Sequence, residues 1–183
     1  MIFTSHFTFR GGPRKSKRMQ RTTAIILAAV MCLSGASAIC KPGYNSYNSH
    51  CYLYVNGPQP TANWYEASAV CKAEGGYLVI IQSSYEQTFL DGLIDNAVNQ
   101  DNFWIGGNSL GKSGYYWTNG NSAETASYTN WKTGQPDNWN YPSDPNNQES
   151  CMQLGMQLAG DTSNKWNDAR CNEKYFYICE YAE

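Results

Sequence analysis

Two polar segments of the chain carry side chains whose oxygen atoms could bind a metal ion. The first contains a Gln-Pro-Asp triplet and, further on, an acid two residues before a cysteine; the second contains a Trp-Asn-Asp triplet. The five oxygen-bearing side chains are Gln135, Asp137, Glu149, Asn167 and Asp168. Mixed carboxylate and amide oxygens are what Ca²⁺ takes, about 6–8 of them at once. Three carboxylates suffice to hold a doubly charged ion, and water or a ligand would complete its coordination.

The Gln-Pro-Asp triplet has a geometric reason to supply two ligands. An X-Pro bond adopts the cis form at modest cost. A cis bond between Gln135 and Pro136 would place the side chains of Gln135 and Asp137 on the same side of the chain. A simple turn also explains the triplet, since Pro, Asp and Asn dominate turns. The combination with Glu149 and the Trp-Asn-Asp triplet, framed by cysteines, favours the metal site.

Residues 1–38 have the order of a secretory signal peptide. Basic residues precede an apolar run over positions 24–33, and Ala36-Ser37-Ala38 is a small-residue cleavage pattern. Residues 39–183 would then form the mature domain. Met19 would be a more ordinary start, so the residues before it are either a long n-region or a consequence of the chosen start. A type II membrane anchor is the alternative, but the apolar run is short for a span of about 20 residues.

Loss of the signal peptide would leave an acidic domain. Residues 1–38 contain six basic and no acidic residues, so the remainder has seven basic against fifteen acidic residues, a formal net charge of −8. Such a domain matches nucleic-acid phosphates poorly, and no nucleic-acid partner is expected.

Six cysteines remain after the signal peptide, and an even number in a secreted chain indicates disulfides. Spacing alone does not choose among their possible pairings. The absence of a Cys-x-x-Cys pair argues against structural zinc. The six are Cys40, Cys51, Cys71, Cys151, Cys171 and Cys179.

The first half of the mature chain reads as a strand followed by two helices. Residues 51–55 form the strand, and Thr61 can cap a helix that runs to about Glu74. Residues 77–81 are apolar enough for a buried strand. A capping box, Ser83-x-x-Glu86, begins the second helix, which runs to about position 99. Its apolar stripe comprises Phe89, Leu90, Leu93, Ile94, Ala97 and Val98.

The second half has short strands separated by loops, so the whole order fits an α+β fold. Strands are predicted at 104–107, 115–117, 151–154, near 166 and at 175–181. Residues 118–148 are mostly small and polar, which is long for a structureless segment, and such loops are usually functional or disordered. The aromatics Tyr128, Trp131 and Trp139 and the flanking cysteine favour an ordered, functional loop.

Between Cys40 and Glu180, the chain contains a series of motifs that resembles, in its order, one family: the C-type lectin-like domain. They are Cys71, Trp104-Ile-Gly-Gly, Trp131, Gln-Pro-Asp, Glu-x-Cys, Trp-Asn-Asp and Tyr-Ile-Cys179-Glu. The resemblance implies the C-type lectin fold, with two helices packed on short antiparallel sheets and a long calcium-binding loop region. It also implies the disulfides Cys71–Cys179, Cys151–Cys171 and, as in the long form of the domain, Cys40–Cys51.

The resemblance further implies a calcium-dependent sugar site. In sugar-binding members, the five matching residues hold one calcium ion, and two neighbouring sugar hydroxyls complete its shell. Members with Gln-Pro-Asp usually prefer galactose or N-acetylgalactosamine, whereas Glu-Pro-Asn members prefer mannose-like sugars. The chain is therefore expected to be a secreted, extracellular lectin for glycans on cell or microbial surfaces.

Trp139 resembles the tryptophan of vertebrate galactose receptors, where an indole would pack on the apolar face of the sugar. A tryptophan that packs in the core or within the loop is the alternative, although its asparagine neighbours favour a surface position. In those receptors a glycine-rich loop follows, whereas residues 140–148 contain no glycine. The orientation of the ring is thus left open, and Tyr141 and Asp144 are not assigned a contact.

A second departure from the family concerns its auxiliary calcium ion. The acidic ligands of that ion align with Ser109, Ser113, Asn138 and Ser150. Three serines and an amide do not supply the charge, so one ion per domain is expected and the auxiliary site is expected to be absent.

Other functions remain as alternatives. They are mannose-type specificity despite the triplet, and a protein- or ice-recognition domain on the same fold. An enzyme is disfavoured, because the mature chain has a single histidine, His50, and its cysteines are expected to be paired. Coiled-coil heptads are absent, so a homo-oligomer would have to use the surface of the domain.

Overall fold

The structure is a computed structural model that describes residues 40–95, 102–139, 148–155 and 164–182. These residues belong to a compact unit that spans Ala38–Glu183. The expected signal peptide at 1–38 lies outside the described residues. Within the described ranges, no helix has both the length and the apolar character needed to cross a membrane.

Two helices and eight strands make up the described fold. The helices are α1, Trp64–Ala73, and α2, Ser84–Asp95. The strands are β1 Asn45–Tyr47, β2 His50–Val55, β3 Tyr77–Leu78, β4 Phe103–Asn108, β5 Tyr116–Trp117, β6 Glu149–Leu154, β7 Trp166–Arg170 and β8 Phe176–Ala182. The expected strand at 77–81 is shorter than predicted, although residues 79–81 are buried in the core.

The strands form one sheet in the order β1-β2-β8-β4-β6-β7, with β3 on β8 and β5 on β4. Most pairs are antiparallel, but β4 and β8 run parallel, with Trp104 opposite Tyr177. The sheet is therefore mixed, which differs from the short antiparallel sheets that were expected. Apolar alternation marks where strands lie but carries no information on their direction.

Helix α1 begins at a cap that differs from the predicted one. Asn63, not Thr61, is the cap: its side chain accepts a hydrogen bond from the Glu66 amide, and the Glu66 carboxylate accepts one from the Asn63 amide, both at 2.9 Å. This reciprocal pair satisfies two of the free amides at the helix start. The helix buries Trp64, Ala67 and Cys71.

Helix α2 begins after the predicted capping residue, but its capping box is only half formed. The Ser83 hydroxyl accepts from the Glu86 amide at 3.2 Å. The Glu86 carboxylate instead accepts from the Gln82 amide and the Tyr52 hydroxyl, each at 2.9 Å. Of the predicted apolar stripe, Leu90 and Ile94 are buried. Ala97, Val98 and the predicted end of the helix lie outside the described residues.

All three disulfides implied by the family resemblance are present. Cys40–Cys51 holds the N-terminal segment to β2, Cys71–Cys179 joins α1 to β8, and Cys151–Cys171 joins β6 to the residue after β7. The last of these fixes the two strands that carry Glu149, Asn167 and Asp168.

Close packing around strand β4 explains why it contains the sequence Trp-Ile-Gly-Gly. Trp104 Nε1 donates to the Ala62 carbonyl and Trp64 Nε1 donates to the Ile105 carbonyl, both at 2.9 Å, so the two indoles tie α1 to β4. A Cβ atom at Gly106 would collide with the Leu78 carbonyl, and one at Gly107 would collide with the Met152 side chain. Only glycine allows these neighbours to approach so closely.

Candidate metal and ligand site

The two polar segments meet because the loop before the Gln-Pro-Asp triplet is held on the first residue of β7. Trp131 and Trp166 form an isolated parallel β-bridge. The Trp166 amide donates to the Asn130 carbonyl and the Lys132 amide donates to the Trp166 carbonyl, both at 2.9 Å. Since Asn167 and Asp168 follow Trp166 directly, these bonds bring both motifs to the same place.

A cluster of aromatic rings packs around the contact between Trp131 and Trp166. The Trp166 ring lies edge-on to Trp117, Tyr128 and Trp131, with centroids 5.2–5.8 Å apart. Its Nε1 donates to the Gln87 side chain at 2.9 Å. Edge-to-face pairs of this kind contribute about 0.5–1.5 kcal/mol each beyond the area that they bury. Tyr128 and Trp131 thus anchor the loop on Trp166, while the ordered, functional character of residues 118–148 stays a prediction.

The bond between Gln135 and Pro136 is cis. The Gln135 amide donates to the Lys132 carbonyl at 2.9 Å, and the Gln135 Oε1 atom accepts from the Asp137 amide at 3.0 Å. The next residue, Asn138, has a φ of 46°, a left-handed conformation that asparagine tolerates well. The triplet is therefore a turn, and this turn also brings the Asp137 carboxylate close to those of Glu149 and Asp168.

Three of the five predicted ligands come together as an acidic cluster. One carboxylate oxygen from each of Asp137, Glu149 and Asp168 lies within 4.8 Å of the other two. Two oxygens that both contact one Ca²⁺ at 2.3–2.6 Å are at most about 5 Å apart. The cluster therefore has the size of a single calcium site.

Asp168 is fully buried and its carboxylate is held by several donors. Its Oδ2 atom accepts from the Tyr115 hydroxyl and the Asn138 amide, both at 2.7 Å, and its Oδ1 atom accepts from the Asp137 amide at 3.3 Å. Burial raises the pKa of Asp168 because it penalises the charged form, while these hydrogen bonds oppose the rise. A cation would stabilise the charged carboxylate further.

Asn167 supplies the clearest indication that the cluster suits a metal ion. The residue is only 4% exposed. Its Nδ2 atom donates to the Asp168 carbonyl. Its Oδ1 atom, however, is buried and has no hydrogen-bond partner among the described residues. Buried polar atoms are nearly always paired, so this amide oxygen fits a metal ligand beside the three carboxylates. The residues present thus suit a hard, oxygen-binding cation.

Trp139 is half exposed, with 52% of its surface accessible. This agrees with the predicted surface position and contradicts a role in the core. Residues 140–147, which include Tyr141 and Asp144, lie outside the described residues.

The four positions aligned with the auxiliary calcium ligands line an open cleft of about 1000 Å³. Ser109, Ser113, Asn138 and Ser150 contribute no carboxylate to it. In the described part of the chain, the acidic cluster of Asp137, Glu149 and Asp168 is the one group of three acidic, histidine or cysteine side chains close enough to share an ion. The number of bound ions stays a prediction.

Tyr115 is a residue of this site that sequence reasoning missed. Its hydroxyl lies within hydrogen-bonding reach of both Asp168 Oδ2 and the Glu149 carbonyl, which share its single proton. Burial and the neighbouring Asp168 raise the pKa of this phenol, so it remains a donor. In the sequence, Tyr115 is simply the first residue of an expected strand, and no local pattern distinguishes it from Tyr116.

The fold and site together define a disulfide-bonded α+β domain in which one loop and strands β6 and β7 bring oxygen donors into a cluster. The family model "Lectin C-type domain" matches residues 60–181, and the chain belongs to this family. Its members are carbohydrate-binding proteins rather than enzymes, and they generally bind Ca²⁺.

Individual relatives agree with this assignment. The C-type lectin lectoxin-Lio1 of Erythrolamprus poecilogyrus is 35% identical over 164 residues, covering 86% of this chain and 90% of that protein. The galactose-specific lectin nattectin of Thalassophryne nattereri is 31% identical over 146 residues, covering 79% and 81%. The carbohydrate-recognition domain of human scavenger receptor C-type lectin superposes with a TM-score of 0.67 at 27% identity, covering 79% of this chain and 100% of that one.

Proposed function

We propose that the chain is a secreted lectin that binds galactose-type sugars through one calcium ion. The observation that carries the proposal is the acidic cluster of Asp137, Glu149 and Asp168 together with the unpaired, buried Oδ1 atom of Asn167. Gln135 completes the ligand set, and its side chain lies on the same turn as Asp137.

The proposed ligands would also hold the sugar. When bound, the calcium ion offers coordination positions to two neighbouring sugar hydroxyls. Carboxylates at Asp137 and Glu149 can accept hydrogen bonds from such hydroxyls, and the amide groups of Gln135 and Asn167 can donate to them. Asp168 is fully buried, so we assign it mainly to the metal. A pair of hydroxyls would thus be recognised as one unit.

Three observations support the galactose class. The amide precedes the carboxylate in the Gln135-Pro136-Asp137 order, as in family members that prefer galactose. Trp139 is half exposed, so its ring is available for packing on the apolar face of a sugar. A relative with 31% identity is named a galactose-specific lectin.

Secretion is supported by the three disulfides, which form and persist in oxidising compartments, and by the predicted signal peptide at 1–38. Single lectin sites are expected to bind weakly, near the millimolar range. Glycans displayed densely on cell or microbial surfaces, or a homo-oligomer of the lectin, would provide the avidity.

The test is retention of the purified protein on galactose and mannose resins, each with calcium and with a chelator. Calcium-dependent retention on galactose alone is expected. Asp137→Ala should lose retention and calcium binding while the disulfide-bonded fold persists. Glu74→Ala is the matched control, because its surface ion pair with Lys41 contributes little.

The other outcomes separate the parts of the proposal. Retention on mannose alone would contradict the galactose class while leaving the calcium-dependent lectin intact. Retention that survives the chelator would contradict the calcium requirement. Measurable calcium binding without retention on either resin would contradict sugar binding and favour a protein- or ice-recognition domain.

A further inference from the structure

We propose that a smaller cleft, made of residues that take no part in the calcium site, binds a short uncharged peptide segment through one of its backbone carbonyls. This peptide cleft has a volume of about 340 Å³ and is lined by Gln82, Trp117 and residues of the loop at 121–127. It shares no lining residue with the cleft of about 1000 Å³, and none of the five proposed calcium ligands lines it. The inference is therefore independent of the proposed function.

Trp117 brings a buried hydrogen-bond donor to the lining of the peptide cleft. The residue is 2% exposed, and its Nε1 atom has no hydrogen-bond partner among the described residues. By contrast, the buried indoles of Trp64 and Trp104 each donate to a backbone carbonyl at 2.9 Å. Buried polar atoms are nearly always paired, and an indole N–H can only donate. Trp117 therefore lacks an acceptor that a ligand would supply.

Ser122 adds a second donor to the same cleft. Its Oγ atom accepts from the Glu124 amide at 3.2 Å and from the Thr125 amide at 3.1 Å. These two bonds use both lone pairs of the hydroxyl oxygen, so the hydroxyl proton is left for another acceptor. A carbonyl oxygen carries two lone pairs and no proton, and it therefore suits a cleft with two donors to satisfy.

The lining excludes a charged ligand. All seven residues that line the peptide cleft are uncharged. A carboxylate or phosphate bound there would lose its water without gaining a charged partner, which is costly. The side-chain amides of Gln82 and Asn121 each offer donors and an acceptor, which match the N–H and C=O groups of a peptide backbone. An uncharged peptide carbonyl is thus the acceptor that fits best.

The size of the cleft limits the ligand to a few residues. Its volume of about 340 Å³ is at the lower end of sites for small molecules, about 300–1,000 Å³. Ala126 and the neighbouring serine, Ser127, keep the lining of the loop small. The cleft therefore suits a short segment with small side chains.

The experiment follows the indole N–H signals of the ¹⁵N-labelled protein by NMR during titration with the capped dipeptide N-acetyl-Ala-Ala-methylamide. A chelator is present throughout, so that the calcium site takes no part. We expect a dissociation constant of about 1 mM and a downfield movement of the Trp117 indole proton as its hydrogen bond forms. The indole protons of Trp64 and Trp104, which already donate to backbone carbonyls, should stay in place and serve as internal references.

A blocking variant locates the site. Thr125→Tyr should weaken peptide binding at least about tenfold, because the new ring would occupy the cleft that Thr125 lines. The bond from the Thr125 amide to Ser122 is made by the backbone and is retained. Thr129→Tyr is the matched control, since Thr129 is exposed in the same loop and does not line the cleft. Peptide affinity in that variant should stay within about twofold of the parent value.

The other outcomes overturn the inference in distinct ways. An unmoved Trp117 signal would leave the Trp166 ring, edge-on at 5.2 Å, as the only group facing the indole among the described aromatics in contact with it. Tighter binding of N-acetyl-Ala-Ala with a free carboxylate would overturn the uncharged class. A response to methyl β-galactoside in chelator, without one to the peptide, would overturn the peptide class. Equal loss of affinity in both threonine variants would place the peptide elsewhere. Failure of calcium-dependent retention on galactose would contradict the proposed function alone.

Discussion

The Tyr115 hydroxyl lies 2.7 Å from Asp168 Oδ2 and also within hydrogen-bonding reach of the Glu149 carbonyl, so that the two acceptors share its proton. One buried phenol thus links the two strands that carry three of the proposed calcium ligands. The hydroxyl holds the Asp168 carboxylate in place in the protein without metal, so that less ordering is left to occur when the ion binds.

Tyr115→Phe should therefore weaken calcium binding without removing a ligand. Loss of a hydrogen bond to a charged group costs about 1.5–3 kcal/mol, so we expect calcium affinity to fall roughly tenfold or more. Methyl β-galactoside affinity in saturating calcium should be unchanged, because no sugar-binding group is altered. Calcium titration followed by calorimetry checks both values, with Tyr116→Phe as the neighbouring control. Equal calcium affinity in the two variants would contradict the positioning role.

Asn167→Ala should abolish both calcium and sugar binding. The variant removes the one buried side-chain oxygen of the cluster that has no hydrogen-bond partner among the described residues. The fold should persist, since the disulfide Cys151–Cys171 still joins the strands around it. Calcium titration and galactose-resin retention are the measurements. Asn172→Ala, in the exposed turn after β7, is the control; unchanged galactose affinity in Asn167→Ala would reject the site.

Trp139→Ala should weaken galactose binding about tenfold and leave calcium affinity nearly unchanged. The loss of a ring that packs on the sugar removes roughly 1–1.5 kcal/mol. Tyr65→Ala removes a ring of similar exposure, 51% against 52%, from α1 and should have no effect. Titration with methyl β-galactoside in saturating calcium measures the difference. Calcium affinity that falls together with galactose affinity would assign Trp139 to the loop structure instead.

Calcium should raise the thermal stability of the domain. A ligand at 100 times its dissociation constant adds about 2.7 kcal/mol when it binds only the folded state. For a domain of this size, that corresponds to a Tm increase of roughly 5–10 °C. Scanning calorimetry with calcium and with a chelator checks the shift. Asp137→Ala should show none, and a shift of equal size in that variant would place the ion elsewhere.

Gly106→Ala should destabilise the domain by about 1–3 kcal/mol or more, as overpacking of a core does. Its new methyl group would collide with the Leu78 carbonyl, which is backbone and has little freedom to move. Gly92→Ala is the opposite control: a Cβ atom there meets nothing within 4 Å, and alanine favours a helix over glycine by about 1 kcal/mol. Urea unfolding of both variants should therefore show changes of opposite sign.

The sequence by itself determined both helices, most of the strands and the types of ligand. Apolar periodicity placed both helices, and Ser83 marked the start of α2, because these are local properties of a few turns of chain. The Gln-Pro-Asp and Trp-Asn-Asp triplets identified candidate oxygen donors, because calcium chemistry depends on side-chain type. The resemblance to the C-type lectin-like domain supplied the disulfide pairing, which spacing alone leaves undetermined.

Only the tertiary structure decided how these pieces meet. The bridge between Trp131 and Trp166 joins two segments that are distant in sequence, and the parallel pairing of β4 with β8 sets the centre of the sheet. The role of Tyr115 likewise depends on a contact across 53 positions of the chain. Such contacts arise from packing among distant elements, and no local window of sequence contains both partners.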